Sequence, residues 1–324
     1  MTPQSILLGI CAGAISAIVF VSATTGPVLS RFVLFLLTPF SIYLAGLGLG
    51  VWPAAIAALT ATLAILAITN PATALVFAVS EAAPAAVLSR LAMLARGKEK
   101  EREWYPVGRL VAAAAIFGGA FAVLALVLLG ADIEALTKAL RDVVQKFVTT
   151  ELPNIPGAPP IAENQIDEIT ATTVRLLPAI MAIAVMMTSL LSLWLAGRVT
   201  LASGRLARQW PDLAALELPR GSSLVFLIAL AISFGGGILG LMAGGFMGSF
   251  YFAFALLGLA VAHYVTRGSP WRNFTLSAVY AALFVFSAGT TLVLALMGLG
   301  ETLFGYRRHV DGGANSGAGP PPLQ

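Results

Sequence analysis

Glu81 is the side chain whose chemistry stands out most in this sequence. It lies near the middle of an apolar stretch, residues 70–100, that opens with Asn-Pro and ends in the densest basic cluster of the chain. A helix that begins near Ala72 would place Glu81 roughly 14 Å along its axis, close to the bilayer midplane. Acidic side chains at that depth usually face a cavity or a polar partner. Pro84 frees a backbone carbonyl, so we expect a kink beside the carboxylate.

The sequence leaves two interpretations of Glu81 open. One is a ligand or proton site in a broken helix. The other is a protonated or hydrogen-bonded glutamate that holds helices together, for instance through Tyr43, Thr60 or Thr62. Glu81 is the only acidic residue inside a predicted apolar run. A relay of several carboxylates or histidines, which intramembrane proton transfer usually needs, is therefore not predicted.

Three other residues are weaker candidates for ligand binding. His263 lies about one turn from the predicted inner interface, where packing is the commoner role. Arg31 and Asn70 are expected at the outer ends of two spans, where they could meet a ligand that enters from outside. Ordinary end anchoring and helix capping are the alternatives for these two residues. With Glu81 and its possible partner Tyr43, they complete the predicted ligand-binding set.

Small residues spaced four apart predict two helix-packing faces. One is formed by Gly236, Gly240, Gly244 and Gly248, and the other by Gly9, Gly13 and Ala17. Such faces let helix backbones approach closely. Internal packing is the default expectation for both. For the first span, a docking face for another membrane subunit is the sharper alternative.

Composition defines the class of protein. Of 324 residues, 58% are hydrophobic and 10% are charged, whereas soluble domains carry about 25% charged residues. The net charge of +4 arises from basic residues in short loops, so we expect no nucleic-acid binding. Cys11 is the only cysteine, and no P-loop, HExxH or GxSxG motif occurs. We therefore expect no metal, no cofactor and no enzymatic activity.

Apolar runs predict an all-α polytopic transmembrane bundle of eight to nine spans. The expected spans cover residues 5–24, 29–50, 53–69, most of 70–100, 107–130, 174–196, 223–243, 247–266 and 273–299. Residues 131–173 form a polar region that contains an amphipathic helix and a Pro-rich loop. The expected units are an N-terminal bundle (1–130), this outer region (131–173), a C-terminal bundle (174–311) and a disordered tail (312–324).

The distribution of Lys and Arg predicts the orientation. Residues 90–109 hold six basic residues, 198–220 hold four and 267–272 hold two, whereas 131–173 hold three against seven acids. The first three regions are expected in the cytoplasm of a bacterium, with the N-terminus inside and the chain in the inner membrane. Nine spans would put the C-terminus outside, but Arg307 and Arg308 favour the inside. The sequence leaves that point open.

Two resemblances to known families add to this interpretation. The first is carried by PFSIYLAGLGLGVWPAAIAALTATLAIL (39–66) and EAAPAAVLSRL (81–91), which are similar to substrate-binding S components of energy-coupling-factor transporters. The second is carried by GLAVAHY (258–264) and GLGETLFGYRR (298–308), which resemble the YybS-like family of uncharacterised membrane proteins. The resemblance to S components implies solute capture near the outer face and docking of helix one on a partner through Gly9, Gly13 and Ala17.

These observations lead to a primary function and two alternatives. The primary hypothesis is a transporter-like protein that binds an unidentified small solute in a cavity lined by spans two to four. Glu81 would be the polar anchor, and any energy would come from a membrane-protein partner or a second copy. The first alternative is a structural or assembly factor of the cell envelope. The second is a lipid-directed intramembrane enzyme, for which only outer acids such as Asp167 and Glu168 are available.

Overall fold

The computed structural model describes residues 2–25, 27–98, 102–152 and 161–307, which form a bundle of α-helices with one small hairpin. The predicted tail (312–324) and most of the Pro-rich loop (153–160) lie outside these residues. The first seven helices are α1 (Pro3–Thr25), α2 (Val28–Leu37), α3 (Phe40–Leu49), α4 (Val51–Ile68), α5 (Pro71–Phe77), α6 (Ala83–Ala92) and α7 (Val107–Leu128). The others are α8 (Ile133–Lys146), α9 (Glu163–Ala202), α10 (Gly221–Ser233), α11 (Gly237–Val265), α12 (Arg272–Val285) and α13 (Ser287–Phe304). Strands β1 (Ala95–Arg96) and β2 (Glu103–Trp104) pair antiparallel.

Eight stretches of the described chain are long and apolar enough to cross a bilayer. Two of them combine shorter helices: α2 with α3 over Leu29–Leu49, and α5 with α6 over Pro71–Ala92. The helix α10 is apolar but has only 13 residues. The predicted all-α polytopic bundle is therefore confirmed.

The predicted second span is interrupted where Pro39 removes a backbone donor. Serine side chains bond the carbonyls next to this break. The Ser16 hydroxyl donates to the Thr38 carbonyl at 2.7 Å, and the Ser192 hydroxyl donates to the Leu36 carbonyl at 2.8 Å. Hydrogen bonds from both α1 and α9 therefore stabilise the break between α2 and α3.

The predicted amphipathic helix is α8. Its N-terminus is capped by the Asp132 carboxylate, which accepts N–H bonds from Glu134 at 2.9 Å and Ala135 at 3.2 Å. Its apolar face packs through Leu136 against three other helices, at Leu126 of α7, Val174 of α9 and Leu241 of α11. The opposite face carries charges, so α8 covers one end of the bundle.

The predicted polar helix and sixth span form one continuous helix, α9. Its 40 residues are about 60 Å long at 1.5 Å per residue, roughly twice the hydrocarbon thickness. The polar N-terminal part packs beside α8. There Arg141 pairs with Glu163 at 2.7 Å and with Asp167 at 2.8 Å.

The boundary between the predicted seventh and eighth spans lies elsewhere in the structure. The chain turns between α10 and α11, ahead of Gly237, and not near residue 245. Gly236 and Gly237 have φ angles of +70° and +64°, a left-handed conformation that glycine adopts without a Cβ clash. Gly236 therefore lies in a turn and not in the predicted packing face, which corrects the prediction at that position.

The predicted last span, residues 273–299, is a pair of helices that meet at Phe286. Arg272, at the start of α12, donates to the His263 carbonyl at 3.0 Å. Arg307, just after α13, lies over the Tyr264 ring at 5.5 Å. Both ends of the pair thus lie beside the end of α11, so α12 and α13 run antiparallel. This reversal of direction at Phe286 places Arg307 at the same end of the bundle as the basic loops.

One end of the bundle, which we call the basic face, carries residues 92–98, 102–106, 203–220 and 266–271 together with Arg307. Three contacts of 3.0 Å or less join these segments. Arg208 donates to the Ala92 carbonyl, Arg267 pairs with Asp212, and Arg307 donates to the Ala214 carbonyl. The opposite end carries α8.

Helix α1 packs closely on α4 through its small residues. A Cβ at Gly9 would lie 2.9 Å from the Pro53 carbonyl oxygen, and a Cβ at Gly13 would meet the Ala57 carbonyl. Ala17 on the same face is 2% exposed. This face is therefore covered from within the chain. One buried core extends from α1 to α13 and draws on both predicted bundles.

The position of Arg307 predicts that the end of α13 lies on the same side of the membrane as the basic loops. In a Cys11→Ser background, Ala207→Cys and Tyr306→Cys should react with a membrane-impermeant maleimide from one side, and Lys138→Cys from the other. All three positions are exposed. The measurement compares intact cells with inverted vesicles. Labelling of positions 207 and 306 from opposite sides would contradict the antiparallel α12–α13 pair.

Candidate functional site

Tyr43 and Glu81 lie on two helices that are both interrupted. Tyr43 follows the break at Pro39 by one helical turn. Glu81 lies in a π-helical turn, Ala78–Ala82, between α5 and α6. Interrupted membrane helices near the bilayer centre are a recurring position for binding sites in transporters.

The π-helical turn has a local cause in Pro84. Proline has no N–H, and its ring clashes with the carbonyl four residues earlier in an α-helix, here that of Ser80. The wider turn relieves this conflict, and the Ala83 N–H donates to the Ala78 carbonyl five residues back. Such turns occur frequently at functional sites. The sequence predicted a local distortion beside Glu81, and the structure has one.

Glu81 and its polar neighbours are sealed inside the bundle. The exposed fraction is 0% for Tyr43 and Glu81, 1% for Ser189 of α9 and 2% for Ser80. Tyr43 faces Ser189 and interacts electrostatically with Glu81, and Ser80 lies beside the carboxylate. We call these four residues the buried polar cluster.

The polar atoms of this cluster are poorly satisfied. Within the described residues, the Tyr43 hydroxyl, both Glu81 carboxylate oxygens and the Ser189 hydroxyl have no hydrogen-bond partner, and neither does the neighbouring Thr188 hydroxyl. A buried polar group without a partner costs about 1–3 kcal/mol, and more if it is charged. Unsatisfied groups in a native core usually mark a bound water, an ion or a functional site.

The buried polar cluster is rich in hydrogen-bond acceptors. It offers one carboxylate and three hydroxyls, which suit a small cation or a solute with hydrogen-bond donors. Within the described chain, no three His, Cys, Asp or Glu side chains come together as a metal site would require. By charge and hydrogen bonding, these groups would suit a proton, an alkali cation or a small ammonium or guanidinium group.

The remaining predicted site residues lie apart from the cluster. Asn70 caps α5, and its side-chain oxygen accepts the Thr73 N–H at 2.9 Å. Arg31 is exposed on α2, on the other side of the break at Pro39 from the fully buried Tyr43. His263 lies near the basic face, where its Nε2 and the Tyr280 hydroxyl are 2.9 Å apart. The structure therefore brings together only Tyr43 and Glu81 from the predicted set.

Other features that the sequence reasoning missed are Ser189 and Glu301. Thr188 and Ser189 are consecutive polar residues halfway along an apolar run, and that pattern was the available signal. Glu301 lies in the last turn of α13, inside a stretch long enough to span a bilayer. Glu81 is therefore not the only acid in such a helix, but Glu301 differs because it is paired with Arg307 at 2.9 Å.

The helices and the buried polar cluster define a polytopic α-helical membrane protein with an intramembrane polar site. Residues 14–300 match the model of a family described as Predicted membrane protein (DUF2232), and the chain belongs to this family. No curated protein and no solved structure matches the chain.

Proposed function

We propose that the protein binds a small cationic solute at the buried polar cluster and passes it across the membrane or captures it there. The observation that carries this proposal is the Glu81 carboxylate, which is fully buried, has no hydrogen-bond partner in the described residues and lies at the π-helical break between α5 and α6. A positive ligand would balance the charge of the carboxylate, and the surrounding hydroxyl oxygens would bind it through their lone pairs.

Exchange of the solute requires an opening, because Glu81 and Tyr43 are not exposed. The π-helical turn offers a movement of suitable size. Shifting a helical register by one residue rotates a side chain by roughly 100° about the helix axis. Converting the turn to α-helical geometry would therefore turn Glu81 away from its present neighbours.

We also propose that the protein lies in a bacterial inner membrane with the basic face in the cytoplasm. The basic residues of the loops at that face support this orientation through the positive-inside bias. The acid-rich region with α8 would then face outward. Any energy for transport would come from another polypeptide, since the sequence contains no P-loop.

Labelling by a hydrophobic carbodiimide, which couples to carboxyl groups in apolar surroundings, tests the solute site. Glu81 should be labelled in purified protein, and sodium, potassium, ammonium or guanidinium ions should slow the labelling if they bind there. Loss of one hydrogen bond to a charged group costs about 1.5–3 kcal/mol. Tyr43→Phe and Ser189→Ala should therefore weaken protection by about tenfold or more. Peptide mass spectrometry measures the labelled fraction.

Two variants calibrate this measurement. Glu81→Gln removes the reactive carboxyl with almost no change in shape and should abolish the label in folded protein. Thr62→Val is the matched hydroxyl control, because Thr62 donates to the Ala58 carbonyl of its own helix at 2.8 Å. Equal loss of protection in Thr62→Val and Tyr43→Phe would count against the proposal. So would labelling that none of the four cations slows.

A further inference from the structure

A second site lies at the basic face, between α9, α11 and residues 206–216. It is a cavity of about 830 Å³, within the range of roughly 300–1,000 Å³ that small-ligand pockets occupy. Most of its wall is apolar and includes Leu47, Leu110, Leu190, Phe252, Leu256 and Leu259. A small cation would gain little from contact with an apolar wall, so this cavity suits a different ligand from the one proposed for Glu81.

The polar part of the lining is cationic. Arg208, Arg267 and Arg272 line the cavity together with one acid, Asp212. Arg267 contacts both carboxylate oxygens of Asp212 at 2.6 Å. The Arg267 guanidinium lowers the pKa of Asp212 below its ordinary value, so this pair stays ionised at neutral pH. Since Asp212 pairs with Arg267, the other two arginines of the cavity have no counter-charge from the described chain.

Arg208 and Arg272 are those two arginines. In the described residues, neither lies within 4.0 Å of a carboxylate, and each donates to a backbone carbonyl, at Ala92 and His263 respectively. The Nε atom of Arg208 is buried without a partner. Burial lowers the pKa of Arg208, because it removes water from the guanidinium. An anion between these arginines would supply the missing partner, and phosphate suits the planar guanidinium best.

The cavity is open to the surface of the bundle. Among its lining residues, Leu191 is 41% exposed, Trp194 is 45% exposed and Tyr280 is 48% exposed. Tryptophan and tyrosine are enriched where membrane proteins meet lipid headgroups. A ligand with one apolar and one charged end can therefore enter from the bilayer.

We propose that this cavity binds an anionic phospholipid, with its phosphate between Arg208 and Arg272 and an acyl chain along the leucine wall. Each half of the cavity selects one half of such a molecule. Free phosphate would leave the apolar wall empty. A lipid with no net charge would leave the cationic rim uncompensated. This assignment is independent of the solute proposed for Glu81.

A photoreactive phosphatidylglycerol, with its diazirine on the acyl chain, tests the assignment in nanodiscs of phosphatidylcholine. Label should map to α9 between Met187 and Gly197 and to α11 between Phe252 and His263. One basic residue near an anionic lipid surface contributes about a fivefold change in binding. Arg208→Gln and Arg272→Gln should each lower the label about fivefold, and the double variant about 25-fold.

Arg205→Gln is the matched control, because Arg205 lies in the same segment and is exposed but does not line the cavity. It should retain the label. A loss equal to that of Arg208→Gln would indicate general surface attraction and overturn the proposal. Equal labelling by a photoreactive phosphatidylcholine would overturn it as well. Inorganic phosphate that displaces the label at millimolar concentration would assign the arginines to a free anion instead.

Discussion

Replacing Glu301 by alanine is expected to lower the free energy of unfolding by about 3–5 kcal/mol, the usual cost of breaking a buried ion pair from one side. The Glu301 and Arg307 side chains are each 7% exposed, and Arg307 Nε lies 2.9 Å from the carboxylate. The other guanidinium nitrogens donate to the carbonyls of Ala214 at 2.9 Å and Leu216 at 2.7 Å. Without Glu301, this cation would stay buried with only neutral partners. Unfolding by SDS in mixed micelles, followed by circular dichroism, measures the loss.

The control for this prediction is Arg141→Ala. Arg141 also contacts two acids, but its side chain is 38% exposed and theirs are 60–68% exposed. Exposed pairs contribute about 0–1 kcal/mol. Equal destabilisation by Glu301→Ala and Arg141→Ala would contradict the prediction. It would mean that the buried pair does not stabilise the contact between the end of α13 and residues 214–216.

Gly258→Ala is expected to destabilise the bundle by about 1–3 kcal/mol through overpacking. Helices α11 and α13 cross with their backbones in contact at this point. A Cβ at Gly258 would collide with the Leu294 carbonyl, and a Cβ at Gly298 would collide with the Phe254 carbonyl. Because a backbone carbonyl cannot relieve the clash by changing rotamer, as a side chain can, α11 and α13 would have to move apart. The same SDS titration measures the effect.

Gly244→Ala in the same helix is the matched control. A Cβ at Gly244 would meet no atom within 4 Å, and alanine is favoured over glycine in helices by about 1 kcal/mol. This variant should be neutral or more stable. Equal destabilisation by both substitutions would contradict the close crossing at Gly258 and would favour the predicted face of regularly spaced glycines.

The sequence predicts the membrane spans well where apolar runs end in Pro, Gly or charge. It fails at Phe286, because neither Pro nor Gly marks that break and the apolar run continues through it. It also fails at the turn before Gly237, where three consecutive glycines, Gly235–Gly237, lie inside a longer apolar run. Mean hydropathy reports how apolar a segment is and not which way the chain runs. It therefore does not reveal a point within an apolar run where the chain reverses its direction.

The two candidate sites differ in how much of each can be predicted from the sequence. The proximity of Glu81 and Tyr43 is among the possibilities that the sequence offers, since few polar side chains are available at that depth. Ser189 was missed because serine is inexpensive in a membrane helix and usually bonds to its own backbone. The cavity was missed because its arginines come from positions 208, 267 and 272, which only the folded chain brings together.

Helices α3 and α9 each contribute to both sites. On α3, Tyr43 belongs to the buried polar cluster and Leu47, one turn later, lines the cavity. On α9, Ser189 faces the cluster while the adjacent Leu190 lines the cavity. A rotation of either helix would therefore change both sites at once, and if both proposed ligands bind, occupancy of one site would alter the affinity at the other. Thermodynamic linkage requires such an effect to be reciprocal, so the two proposals together imply that membrane lipid composition would regulate solute affinity.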